Sequence, residues 1–382
     1  MRAFLIAGEP SGDKLGAALI AGLRELTQVD LQGIAGPLMQ GQGMDSLFPL
    51  EELSVMGIAE VLPKYRHLKR RIRETAEKVI DTKPDVLITI DSPDFCLRVA
   101  RLVKAANPSQ RIVHYVAPTV WAWRPKRAQK MAETVDQVLA LLPFEPPYFE
   151  KVGLQCDFVG HPVAVEPVPT DAQVAAFRQT HGLGDAQVIL ALPGSRRAEI
   201  SRLADPFGLA LRELVHTHPD ARVVLPTLPH LREEVTRLTA DWPAPLILTP
   251  DPDEKRTAFA AADIALAASG TVSLELAAVD TPMVVAYDMN WISWQIMSRM
   301  ALIDTVTLVN LVTGRKTVAE FLGPDCQSAP IAAALATLLD EPSARATQRQ
   351  AMADAMAALG RGQERPGLRA ARAILAGLPS VS

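Results

Sequence analysis

Short, continuous apolar runs alternate with amphipathic segments along the whole chain. In the first half the runs are AFLIA (3–7), VLITI (86–90), RIVHYV (111–116), VLALL (138–142) and CDFVG (156–160). Between them Asp13–Thr27, Leu68–Asp81 and Phe95–Ala106 carry helical spacing. Runs this short with no polar alternation predict parallel strands buried on both faces and joined by crossover helices. The second half repeats the scheme with VILAL (188–192), RVVLP (222–226), PLILT (245–249), DIALAA (263–268) and PMVVAY (282–287). The chain therefore reads as α/β with two Rossmann-like domains. Pro162, Pro167 and Pro169 crowd together after Gly160-His161, and prolines stiffen a connector without extending a strand, which places the linker near 162–170. The expected domains are 1–163 and 164–335. The tail from Ser328 is Ala-rich and helical, and residues 336–382 are expected to cross back to the first domain.

A length of 382 residues suits two domains, each large enough to bury its own core. Two domains imply a cleft. With 39 Lys plus Arg against 43 Asp plus Glu the net charge is −4, which argues against a globally basic nucleic-acid binder. Cys96, Cys156 and Cys326 are far apart and show no metal spacing, so they read as structural thiols of a reducing compartment. The run after Met1-Arg2 breaks at Gly8-Glu9, too short for a signal-peptide core, and no uncharged apolar run approaches the ~18 residues of a membrane span. A cytoplasmic protein is expected, with any membrane contact peripheral.

Two strand-to-helix turns carry the densest chemical signal. Gly194-Ser195-Arg196 follows VILAL, and Ser269-Gly270-Thr271 follows DIALAA. Each should present free backbone N–H groups at a helix start, where a phosphate can sit. Arg196 adds a guanidinium fork suited to two phosphate oxygens. Glu275, four residues after Thr271, could accept hydrogen bonds from a ribose. A diphosphate ligand follows, with no metal or cofactor, because Asp251-Pro252-Asp253 lies in a proline-rich turn that reads as a solvated bend. In the first half, Asp91 and Asp94 follow VLITI at the carboxyl end of a strand, where open α/β sheets keep their sites. Asp94 is placed to cap a helix beginning at Phe95; Asp91 has no such duty and is the better general base. His114, Glu9, Asp13 and His161 rank below it.

The segments Ala7–Asp13, Val55–Ile58, Asp91–Phe95, His114–Arg124, Leu142–Glu145, Gly160-His161, Leu192–Arg196, Ala268–Thr271 and Pro324–Gln327 resemble, in order, the motif series of the lipid-A-disaccharide synthase family, which has the GT-B glycosyltransferase fold. Pro10 stands where alanine is usual, and Val272-Ser273 replaces an Ala-Thr or Ala-Ala pair; neither removes a polar group that the chemistry needs. The resemblance implies an inverting transferase that moves 2,3-diacylglucosamine from its UDP derivative to the 6-hydroxyl of 2,3-diacylglucosamine 1-phosphate. It implies UDP binding by Gly194, Ser195, Arg196, Ser269–Thr271, Glu275, Asn310 and Arg315 in the second domain. Asn310 matches the family's asparagine near the donor, though the residues alone read equally as a strand-end Asn in a turn. On the acceptor side it places Glu9, Ser11, Gly12, Asp13, Asp94, His114 and Trp123. Val55–Thr75 combines Val55, Met56, Ile58, Val61, Leu62, Tyr65, Leu68 and Ile72 with Lys64, Arg66, Lys69, Arg70, Arg71 and Arg73. Alone it reads as an amphipathic helix with a solvated basic face. With diacylated substrates implied, it becomes a peripheral contact to the anionic inner-membrane surface. A homodimer through the C-terminal helices is open. The alternatives are a UDP-N-acetylglucosamine 2-epimerase-like enzyme, another transferase of the same fold, or a non-catalytic binding protein.

Overall fold

Each of the ten apolar runs forms a parallel strand in the computed structural model, which describes residues 1–53, 58–243, 246–249 and 251–378, the side chains of 58–64 excepted. The first unit, residues 1–165 with 362–382, runs β1 (Arg2–Ala7), α1 (Pro10–Leu26), β2 (Asp30–Ile34), α2 (Pro37–Gly41), α3 (Ile58–Thr82), β3 (Val86–Ile90), α4 (Pro93–Ala106), β4 (Ile112–Tyr115), α5 (Lys126–Ala132), β5 (Gln137–Ala140), α6 (Pro146–Glu150) and β6 (Gln155–Phe158). The second, residues 166–361, runs α7 (Asp171–Thr180), β7 (Val188–Leu192), α8 (Arg197–Thr217), β8 (Arg222–Pro226), α9 (Arg232–Leu238), β9 (Leu246–Thr249), α10 (Lys255–Ala260), β10 (Ile264–Ala267), α11 (Val272–Ala278), β11 (Met283–Tyr287), α12 (Trp291–Met300), α13 (Leu308–Thr313), β12 (Ala319–Leu322), α14 (Ser328–Asp340) and α15 (Pro342–Ala358). A last helix, α16 (Pro366–Ala376), belongs to the first unit.

The first sheet has the order β2-β1-β3-β4-β5-β6 and the second β12-β11-β10-β7-β8-β9. Every pairing is parallel. In the first sheet, core residues such as Phe4, Ile6 and Leu87 pack on one face with α3 and α4, while Ala3, Leu5 and Ile88 pack on the other with α1 and α16. Burial on both faces explains why these strands show no polar alternation. The sequence pattern misses β2 and β12, one edge strand of each sheet. Each pairs on one side only and keeps half-exposed positions, which leaves the runs DLQGI and AEFL too polar to stand out. The run VTLVN also departs from expectation: it enters helix α13 instead of ending a strand.

Only part of the tail returns to the first unit. α14 packs on α8 and α15 on α11 and α13, all within 166–361, so the expected boundary at 336 moves to 362. The amphipathic faces of α14 and α15 find their apolar partners in the second core, where Ile331, Leu335, Leu338 and Leu339 are buried. α16 lies against α1 with Ala370, Ala371 and Ile374 buried. The two helices touch backbone to backbone: a Cβ at Gly22 would come within 2.5 Å of the Gly367 oxygen, and one at Gly367 within 2.3 Å of the Ala18 oxygen. Gln137 Nε2 donates to the Ala373 carbonyl at 3.1 Å and Arg369 to that of Phe158 at 2.9 Å, fixing the helix to β5 and β6. No helix among the described residues is long and apolar enough to cross a membrane.

Candidate functional site

In each sheet the chain starts in the middle, builds outward to one side, and then crosses to the other. The strand order reverses between β1 and β3 in the first sheet and between β7 and β10 in the second. At such a switch point the loops leaving two adjacent strands diverge and open a crevice at the carboxyl edge. Part of the candidate set collects at these two points: Gly194–Arg196, Ser269–Thr271 and Glu275 in the second unit, Ser11 and Asp91 in the first.

In the second unit, the turns after β7 and β10 line a cavity of about 430 Å³, and Gly194, Ser195, Arg196, Ser269, Gly270, Thr271 and Glu275 all contribute to its wall. Gly194 has φ +115, and a Cβ there would lie 2.6 Å from Glu199 Oε2, so a side chain is excluded on both counts. The Ser195 and Arg196 amides are occupied, whereas the sequence leads one to expect them free. Glu199 Oε2 accepts from the Ser195 N–H at 3.2 Å and the Arg196 N–H at 3.3 Å, while Oε1 pairs with Arg196 Nη1 at 3.2 Å. The helix supplies its own anion at its positive end. Glu275 likewise holds a cation: its Oε2 meets Lys255 Nζ at 2.6 Å. Lys255, absent from the sequence candidates, follows the Asp251–Asp253 turn, an exposed bend as expected, of which Asp251 and Pro252 also line the cavity. A lysine entering a helix just after a strand and an acidic turn is the signal that could have found it.

Asn310 and Arg315 are not among the cavity-lining residues. Asn310 is buried, and its amide is consumed internally. Nδ2 donates to Thr305 Oγ1 and the Val318 carbonyl, and Oδ1 accepts from the Thr317 and Val318 N–H groups at 2.9–3.1 Å. It staples α13 to the approach of β12. Arg315 pairs with Asp354 on α15.

In the first unit, Ser11 from the first turn of α1 donates from Oγ to Asp91 Oδ2 at 3.2 Å, bridging the β1/β3 switch point. The other oxygen, Oδ1, accepts from the Ser92 N–H at 2.8 Å. Asp91 (φ +54), Ser92 (φ +41) and Val116 (φ +81), at the ends of neighbouring β3 and β4, all hold left-handed backbone that L side chains rarely adopt. Each such residue costs on the order of 1–3 kcal/mol, and such strain gathers at functional loops. Asp94 is not the cap the sequence suggests. The helix begins at Pro93 with Ser92 as its N-cap, and the Asp94 side chain is 90% exposed, pairing with Arg127 at 3.1 Å. It shares a cavity of about 220 Å³ with Arg98, Arg101 and Lys130.

Several other candidates serve the fold. Asp13 is buried, and its carboxylate accepts from the N–H groups of Gly36, Leu38 and Met39 at 2.9–3.0 Å, capping α2. Gly12 is buried in α1, and Glu9 is that helix's half-buried N-cap residue. Trp123 Nε1 donates to Thr119 Oγ1 at 3.2 Å, with the Arg124 guanidinium 4.0 Å from its ring. Trp121 is buried instead, edge-on to Phe144 and donating to Glu145. The three cysteines are free and buried, and burial raises the Cys326 thiol to about 11. Among the described residues no group of His, Cys, Asp and Glu side chains forms a metal site.

His114 lies in the core of β4, with Nδ1 2.8 Å from Thr89 Oγ1 and Nε2 without a hydrogen-bond partner. Burial, reinforced by the Arg127 charge, lowers its pKa from 6.5 to about 4. The unfolded chain therefore takes up this proton between pH 6.5 and 4 while the folded protein resists it, so the associated stability is present above pH 6.5 and lost as pH falls toward 4. We expect His114→Gln to flatten the acid arm of the stability profile by on the order of 2 kcal/mol. Denaturant unfolding at pH 7 and pH 5 checks this: an equal loss in both proteins would refute it.

A sequence profile of the family described as lipid-A-disaccharide synthetase matches residues 3–374. The chain is 59% identical to the lipid-A-disaccharide synthase of Ruegeria pomeroyi, covering 99% of this chain and 96% of that protein. It is 47% identical to that of Rhodospirillum centenum over 97% and 93%. Among solved structures, a UDP-GlcNAc 2-epimerase from Neisseria meningitidis bound to UDP-GlcNAc superposes with a TM-score of 0.66 at 14% identity over 98% of both chains. An Anabaena protein, Alr3699/HepE, in complex with UDP and glucose gives 0.60 at 13% identity, covering 99% of each. At such identity these structures share the fold alone, while the near full-length profile match and the high identity to curated relatives decide the family: the chain belongs to the lipid-A-disaccharide synthases.

Proposed function

We propose that the protein condenses UDP-2,3-diacylglucosamine with 2,3-diacylglucosamine 1-phosphate, forming the β-1,6-linked disaccharide 1-phosphate and releasing UDP. The observation that carries the reading is the cavity at the β7/β10 switch point, where two glycine turns and Arg196 converge beside Lys255. The diphosphate sits at the turns after β7 and β10, displacing Glu199 from the Ser195 and Arg196 amides, and Arg196 balances its charge. Glu275 and Thr271 serve the nucleoside end. Asp91, oriented by Ser11, takes the proton from the acceptor 6-hydroxyl as that oxygen attacks the anomeric carbon with inversion, and UDP leaves. Incubating the protein with the UDP donor, with and without the acceptor, tests the reading. Disaccharide and UDP should form only when both are present; UDP-sugar epimerisation without acceptor would favour the 2-epimerase alternative.

Displacement of Glu199 makes a separate prediction. Glu199→Gln removes a negative charge that competes with the diphosphate and should tighten UDP binding about fivefold, roughly 1 kcal/mol. Calorimetric titration with UDP measures this, and unchanged or weaker binding would show that the carboxylate stays in place when nucleotide binds.

The same reading brings the protein to an anionic membrane surface on the cytoplasmic side of the inner membrane, where its lipid substrates lie. Arg66, Lys69, Arg70 and Arg73 project from α3 as exposed cations, and Tyr65 is exposed beside them. Arg71 does not belong to this set. It forms a two-point pair with Glu52 at 2.7 and 2.8 Å and contacts Glu74, an arrangement in which the guanidinium holds the Glu52 carboxyl down at about 2. Ile72 is a core residue and Leu68 packs against the core. Val55, Met56 and Gly57, and the side chains of Ile58, Val61, Leu62 and Lys64, lie outside the described residues. Neutralising Arg66, Lys69 and Arg70 together should weaken binding to anionic vesicles by about 1 kcal/mol per charge, and added salt should weaken the parent likewise. Sedimentation with vesicles decides: parent-like binding of the triple variant would make α3 a merely solvated face.

A further inference from the structure

The largest exposed apolar side chains of the second unit gather on α12 and the residues just after it. Trp291 is 73% exposed, Ile292 65%, Ile296 52% and Leu302 61%, with Met300 also exposed. No residue of this ten-residue helix is buried. Soluble proteins rarely gather so much apolar surface in one place without a partner for it. The helix is nonetheless held firmly. Asn290 caps it by accepting from the Ser293 N–H at 2.8 Å, and the Trp294 ring packs so closely on Gly323 that a Cβ there would come within 2.5 Å of it. Between Asp288 and Asp304 there is no carboxylate, and the one charge is Arg299.

Its position narrows what covers it. α12 leaves the carboxyl end of β11, the strand beside β10, and so rises from the same sheet edge as the turns that line the nucleotide cavity. Arg202 of α8, two turns after Arg196, pairs with Asp288 at 3.0 Å and ties the start of α12 to the helix that opens at the diphosphate end. The 430 Å³ cavity is of a size for a nucleotide sugar, and hydrocarbon chains on that sugar need apolar surface outside it.

We propose that α12 is the acyl-chain site of the donor: Trp291, Ile292, Ile296 and Met300 receive the hydrocarbon of an acylated UDP-sugar whose diphosphate lies at Arg196. This rests on the donor assignment above and extends it from nucleotide to lipid. Recognition is hydrophobic burial, proportional to the chain area withdrawn from water, and the carboxylate-free helix adds no repulsion toward the phosphates.

The test compares two ligands in the absence of acceptor, so that it is independent of turnover. Binding of UDP-2,3-diacylglucosamine and of UDP-N-acetylglucosamine is measured for the parent and for the triple variant Trp291→Ser/Ile292→Ser/Ile296→Ser. The variant should lose about tenfold or more in affinity for the diacyl ligand while binding UDP-N-acetylglucosamine like the parent, which also shows that the cavity is intact. Blue-shifted tryptophan emission on adding the diacyl ligand, present in the parent and absent in Trp291→Phe, should accompany it. Equal loss for both ligands, or no loss for either, would overturn the proposal. A change from dimer to monomer in the sedimentation of the variant would do so as well, because the face would then belong to a second copy of the chain. Diacyl-selective binding in a protein that forms no disaccharide would leave the acyl site standing and remove the transfer reaction instead.

Discussion

Asp91→Asn should lower kcat by about 10²–10⁴-fold, the range typical of a lost general base. The substitution keeps the side chain's size, and its amide oxygen can still accept from Ser11 or Ser92, so the fold around the β1/β3 switch point should persist. UDP affinity should stay at the parent value, since the cavity-lining residues all come from the second unit. Asp94→Asn is the matched control. Its carboxylate is almost fully exposed and pairs with one arginine, and exposed pairs of this kind contribute at most about 1 kcal/mol. Ser11→Ala should give a smaller loss in kcat, through a less well oriented carboxylate. Steady-state kinetics on folded variants separates the cases. If Asp94→Asn abolishes turnover while Asp91→Asn retains it, the roles of the two carboxylates are reversed. If neither does, Glu9 is the next candidate, ahead of the buried His114.

Arg196→Ala should cost roughly 10²-fold or more in kcat/KM, the scale of one preorganised charge contact to a leaving group. Stability offers no competing explanation. The Arg196 side chain is 62% exposed and its ion pair is with Glu199 one turn along the same helix, an arrangement worth about 0.3–0.5 kcal/mol. Arg196→Lys should recover little, because an ammonium cannot engage two phosphate oxygens at once. Near-parent activity in Arg196→Ala would pass the neutralising role to Lys255, and Lys255→Ala would then show the large loss. The two variants together thus locate the cation that matters.

The central strands were legible because each is buried on both faces, so their runs stay apolar whatever the rest of the molecule does. The turns after β7 and β10 were legible for a related reason: a glycine such as Gly194, where a side chain would strike Glu199, marks the backbone directly in the sequence. The sequence also carried the order of the motifs, and with it the family. Which polar side chains face a ligand was decided elsewhere. Asp13, Asn310 and Arg71 resemble site residues in one dimension. Each turns out to satisfy internal groups: the N-terminus of α2, the loop before β12, and Glu52. Lys255 and Glu199 enter the cavity wall only because β9, β10 and β7 lie in one sheet. Burial of a strand is a property of its own residues, written in their hydrophobicity. The partner of a polar atom is set by which chain segments the topology brings within 3 Å, and that pairing of distant residues exists only in the folded protein.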